Sequence, residues 1–241
     1  MARFFLSPEA WGAQALLTGD EAKHAAQVLR LRPGDRITVF DGCGRSAAAE
    51  VLDVARSEIR LALGAEMIRP PLAPEIVLAL AVPKGKTMDL IVQKAVELGV
   101  SAIQPLITRH TVVQVEEDEA SRKSAKWQRV ALEACKQCGQ DLLPEVLPVR
   151  DFPDWLADSS GDLKIIASLF PGARPLREIL RNAEVPGRVT LLVGPEGDFT
   201  SAEGASAVEA GFLPANLGSI VLRVETAAFF AISAIRYEFA G

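Results

Sequence analysis

The stretch VTLLVGPEGDFTSAE, Val189–Glu203, decides the fold class of this chain. Its apolar opening, Val189 to Val193, has the length and composition of a buried strand. Its close, Thr200-Ser201-Ala202-Glu203, has capping-box spacing, in which Thr200 and Glu203 satisfy free backbone N–H groups at a helix start. Between them lie two glycines, a proline and a glutamate. A strand that turns directly into a capped helix is the unit of an α/β domain.

Outward from that unit the same rhythm recurs. Ile76–Val82 reads as a buried strand before a helix from Thr87 to Leu98, and SAIQPLI is strand-like although Pro105 weakens it. A helix over about Ser121–Cys138 follows. After it come EVLPV, a short helix, LKIIASLF, a helix after Pro175, the Val189 unit, a strand in SIVLRV and a last helix. Strands alternating with helices predict a mainly parallel sheet. Upstream, RPPLAP (Arg69–Pro74) marks a boundary, since three prolines suit a stiff linker. Residues before it turn often and alternate, as in DRITVFDG, SAAAEVLDV and EIRLAL. The division expected is a small, mostly β module over 1–72, with one short helix near Asp20–Leu29, and an α/β domain over 73–241.

Composition bounds the function classes. The chain has 241 residues, 49% apolar and 24% charged, which suits a folded globular protein with a sizeable core. No apolar run reaches membrane-spanning length and the N-terminus lacks a leader pattern, so a cytoplasmic location and no membrane partner are expected. Three cysteines argue against a disulfide framework. Cys135 and Cys138 form C-x-x-C, but inside a helical pattern and with no second pair to complete a site, so no metal is expected. Net charge is −5, and the deficit falls entirely after residue 72. A polyanionic partner would have to meet a local basic patch.

Ligands of such sheets bind at the carboxyl ends of strands. Three turns stand there: SLFPG, VGPEG and LRVET. Phosphate-loop and dinucleotide motifs are absent, and Glu196 would repel a phosphate at the helix start. Glycines that let backbone approach a flat base suit a donor without phosphate, such as S-adenosylmethionine, although an ordinary structural turn has the same composition. Arg223 and Glu225 are the polar exceptions in LGSIVLRVETAAFFAISAIRYEF. They stand either as site residues or as an internal ion pair. The final helix, apolar on nearly every side, is covered by its own core or by a second subunit. In KGKTMDLIVQKAVELGV, the apolar face is Met88, Ile91, Val92, Ala95 and Leu98. Lys84 and Lys86, just past a strand, suit phosphate contact.

Five ordered blocks carry a resemblance over almost the whole chain. They are RFFL…HAAQVLRLRPGD, QKAVELGVSAIQPLITRH, KWQRVALEACKQCG, LVGPEGDFTSAE and LGSIVLRVETA. Together they resemble the ribosomal RNA small subunit methyltransferase E family, which makes N3-methyluridine in 16S rRNA. The resemblance implies an N-terminal PUA-like β-barrel that binds RNA and a C-terminal SPOUT methyltransferase domain with a trefoil knot, working as a homodimer on 16S rRNA or the small subunit. By similarity, S-adenosylmethionine would lie against Leu169, Gly194, Glu196, Gly197, Leu217, Gly218, Leu222, Arg223 and Val224. Arg223 and Glu225 would be catalytic, the first stabilising a uracil anion, the second accepting a proton or orienting Arg223. RNA would meet Arg3, His24, Arg30 and Arg32 in the first domain and Lys84, Lys94, Arg109 and Arg129 in the second. The chain departs from the family pattern at Asp198 (usually Gly), Ile220 and Gln140 (usually Arg) and His110 (usually Ser). Rival expectations are a related enzyme with another RNA target and a catalytically silent RNA-binding protein.

Overall fold

The first module is built on strands whose apolar residues alternate. They are β1 (Arg3–Phe5), β2 (Ala15–Thr18), β3 (Arg36–Phe40), β4 (Arg45–Val54) and β5 (Glu58–Ile68). They form a sheet in the order β1-β3-β4-β5-β2. Ile37 and Val39, then Ala47, Ala49 and Val51, then Ile59 and Leu61 all face one core with Phe4 and Leu17, as a period of two requires. The expected short helix is α1 (Gly19–Lys23), continued by one π-turn over His24–Val28. This computed structural model describes residues 2–12, 14–55, 57–112 and 117–239, with backbone only at 117–119.

The chain divides into two compact units, 1–71 with 132–143, and 72–131 with 144–241. Segment 132–143 belongs to the first unit because it carries that unit's buried polar centre. The Asp141 side chain is fully buried and forms ion pairs with Arg3 at 2.5 Å and Arg69 at 3.2 Å. Ser46 Oγ donates to the same carboxylate at 3.0 Å. Gly44, at φ +100°, must be glycine: a Cβ would stand 2.6 Å from the Arg69 carbonyl oxygen. Cys135 lies buried beside this centre, and burial pushes its thiol up to about 12.

The second unit contains β6 (Glu75–Ala81), α2 (Thr87–Glu97), β7 (Ala102–Ile107), most of α3 (Glu117–Cys138), β8 (Glu145–Val146) and β9 (Arg150–Asp151). It continues through α4 (Phe152–Asp158), β10 (Leu163–Ala167), β11 (Arg174–Pro175), α5 (Leu176–Asn182) and β12 (Arg188–Val193). It ends with α6 (Ser201–Glu209), β13 (Leu213–Asn216) and α7 (Val224–Phe239). Among the described residues the sheet order is β11-β13-β10-β12-β6-β7-β8, all parallel, with β9 also on β7. Ile76, Leu78, Leu80, Ile165, Val189 and Leu191 are fully buried, because helices cover both faces of such sheets.

Pro105 sits inside β7 without a ladder penalty. On the side away from β6, β8 pairs with Ala102 and Ile103 and β9 with Leu106 and Ile107, so neither pairs with Pro105. Gln104 Nε2 spans the gap by donating to the carbonyls of Pro105 and Pro148 at 2.9 and 2.7 Å. The strand expected in SIVLRV is not one. Ser219–Leu222 is irregular, with Ile220 and Val221 72% and 77% exposed, and the strand lies earlier at Leu213–Asn216. Apolar composition there marks a loop wall; the residue that seats the strand is the buried Ala215. No described helix is long and apolar enough to cross a membrane.

Candidate functional site

Neighbouring parallel strands deliver their following loops to one edge. Ile166 is in register with Leu192 of β12 and Pro214 of β13, and Val193 with Leu80 of β6. The loops after β10, β12 and β13 therefore meet, and a cavity of about 490 Å³ lies among them. Leu169 comes from the first, Gly194 and Glu196 from the second. Leu217, Gly218 and Leu222 come from the third, continuing into Arg223, Val224 and Glu225. Gly197 faces an adjoining cavity instead. Thr87 and Asp198 also line the main cavity, although neither was expected there from sequence.

The middle loop is shaped by its residues. Pro195 carbonyl accepts from Asp198 N–H at 3.0 Å, closing a tight turn. Asp198 holds φ +55°, a region that Asp tolerates better than most residues. Thr200 and Glu203 form the expected capping box: Glu203 N–H donates to Thr200 Oγ1 at 3.2 Å, and Thr200 N–H to Glu203 Oε2 at 2.9 Å. Glu203 Oε1 also accepts the Arg109 N–H at 2.8 Å, and Glu196 Oε1 the Lys84 N–H at 3.0 Å. The turn is thus tied to the loops after β6 and β7.

Two glycines shape the lip of the cavity. A Cβ on Gly194 would meet the Phe199 ring at 3.0 Å and Asp198 Oδ1 at 3.1 Å. Gly218 holds φ +131° and donates to Asn216 Oδ1 at 2.7 Å, aligning the third loop. The lining carries three carboxylates, Glu196, Asp198 and Glu225, against one guanidinium, Arg223. That balance favours a cation over a phosphate. No salt bridge joins Arg223 to Glu225 among the described residues, so the internal-pair alternative is not what forms. The adjoining cavity, about 570 Å³, is lined by Lys84, Arg109, His110, Glu196 and Gly197. An acidic pocket therefore stands beside a basic one.

A profile described as an RNA methyltransferase domain matches residues 70–236, and one described as an RNA methyltransferase PUA domain matches residues 17–63. The chain belongs to the ribosomal RNA small subunit methyltransferase E family. Its relative of that name from Synechocystis is 31% identical over 92% of this chain and 73% of the relative. The Bacillus subtilis relative is 28% identical over 92% of this chain and 89% of its own. Among solved structures, the family's enzyme from Neisseria gonorrhoeae, bound to S-adenosyl methionine, superposes with TM-score 0.88 at 33% identity, covering 98% of this chain and 97% of that one. A Legionella pneumophila methyltransferase in complex with bound SAM gives TM-score 0.89 at 30% identity, covering 98% and 97%. The N-terminal unit is thus PUA-like and the C-terminal one an RNA methyltransferase α/β domain.

The basic residues expected to meet RNA divide in two. Arg3 is committed to Asp141 and stacks on Phe40 at 4.9 Å, while Lys94 pairs with Glu97 at 2.8 Å. His24, half-buried, packs against Phe4 at 6.0 Å between ring centres. Arg30, Arg32, Lys84, Arg109 and Arg129 are exposed, and among these Lys84 and Arg109 share one cavity. His110 shares it too. The signal for His110 in the sequence is its departure from the serine usual in the family at that position.

Proposed function

We propose that this chain transfers the methyl group of S-adenosylmethionine to N3 of a uridine in 16S rRNA of the small ribosomal subunit. The observation that carries the proposal is the paired geometry: a glycine-lipped, carboxylate-rich cavity at three strand ends, beside a cavity bearing Lys84, Arg109 and His110. Relatives solved with bound S-adenosyl methionine support the same donor. The residues fit it: Gly194 adds no side chain at a tightly packed lip, and three carboxylates suit a sulfonium and an ammonium.

The donor supplies an electrophilic methyl, whose S–C bond breaks as the N3–C bond forms. The chain's own task is to make N3 a nucleophile and aim it. Uridine N3 holds a proton at neutral pH, so that proton must leave to a base. Arg223 stabilises the resulting uracil anion and Glu225, half-buried and with no ion-pair partner among the described residues, takes the proton. Lys84 and Arg109 position RNA phosphates, while the target base leaves its stack to reach the pocket. The same proposal includes a trefoil knot in the C-terminal domain, a cytoplasmic location and a homodimer. The dimer is supported by the exposed Phe230 and Tyr237 of α7 (48% and 88%).

Mass spectrometry of 16S rRNA from a strain lacking the protein is expected to show loss of one N3-methyluridine, restored by the wild-type chain. Unchanged rRNA modification would refute the target, and a different missing modification would reassign it.

A further inference from the structure

The wall shared by the two cavities is the turn Gly194–Phe199, and one side chain from another loop holds its far end. His110 Nδ1 lies 2.9 Å from the Asp198 carbonyl and 3.1 Å from the Gly197 carbonyl. Carbonyl oxygens only accept, so Nδ1 carries the proton whether the ring is neutral or charged. Nε2 has no partner among the described residues. The bond falls at a demanding position, because Asp198 holds φ +55° with a full side chain. Asp198 Oδ1 in turn accepts the Phe199 N–H at 2.8 Å, and the Phe199 ring is buried against the Gly194 lip. An ordered path therefore runs from His110, through two carbonyls and the Asp198 side chain, to the glycine that opens the donor cavity.

We propose that His110 is a positioning residue for methyl-donor binding: its Nδ1–H locks the Gly197 and Asp198 carbonyls and so keeps the Gly194 lip open. This rests on the donor assigned above. A turn left to sample other conformations must be reordered on binding, so the lock appears in donor affinity.

The test is calorimetric titration of the full chain with S-adenosylmethionine, alongside imidazole nitrogen NMR of the unliganded protein. His110→Ala is expected to bind about 10-fold more weakly, as loss of a hydrogen-bonded anchor predicts. His110→Asn places an amide N–H near the Nδ1 position and is expected to recover most of that affinity, whereas His110→Gln, whose amide reaches further, is not. NMR should show the neutral His110 ring protonated at Nδ1, and a His110→Ala spectrum assigns its signals against His24. Wild-type-like binding by His110→Ala, an Asn variant as weak as Ala, or a ring protonated at Nε2 would each overturn this proposal alone. No binding by the wild-type chain would overturn the donor assignment, and this proposal with it.

Discussion

Arg223→Ala is expected to lower turnover on rRNA by about 100- to 1000-fold, the range for removing one preorganised donor to a developing anion. Donor affinity should change by no more than about threefold, because the cavity already carries more negative than positive charge and Arg223 adds nothing to sulfonium binding. The guanidinium stands exposed at the start of α7, where its own carbonyl accepts the Ala227 N–H at 2.8 Å. Its backbone is thereby fixed, while its side chain forms no salt bridge among the described residues. Single-turnover kinetics with saturating donor read the chemical step directly. Undiminished turnover would remove Arg223 from the mechanism.

Asp141→Ala is expected to destabilise the first unit by about 3 to 5 kcal/mol, the usual result of stranding a buried charge. Arg3 keeps only 16% of its side chain exposed and loses the fully buried carboxylate that neutralises it. Ser46 loses its acceptor as well. Arg69 is 57% exposed and regains water, so it contributes little to the loss. Urea unfolding followed through the fluorescence of Trp11, in the same unit, measures the effect. A loss below about 1 kcal/mol would show that the pair is not the anchor of segment 132–143.

Local signals were legible in the sequence and long-range ones were not. The Thr200–Glu203 capping box depends on four consecutive residues, and its two hydrogen bonds form as the spacing predicts. Parallel strands such as Val189–Val193 announce themselves because burial on both faces forces an unbroken apolar run. By contrast, β13 carries Pro214 and Asn216, and its burial is supplied by β10 and β11 rather than by its own composition. Ile220 and Val221 mimicked a strand while facing outward as loop wall. Asp141 looks like any charged loop residue until Arg3, distant in sequence, is folded against it. The same applies to His110: its partner carbonyls lie 87 and 88 residues away. At the site, most of the expected donor residues line one cavity because the three loops follow adjacent strands. Gly197 parts from them because the Pro195–Asp198 turn carries it to the other side of the shared wall.

The most direct measurement is a crystal structure of the chain grown with S-adenosylmethionine. The donor is expected between Gly194–Asp198 and Leu217–Glu225, its methyl directed toward the cavity that holds Lys84 and Arg109. A donor bound elsewhere, or a methyl directed away from that basic cavity, would contradict the account.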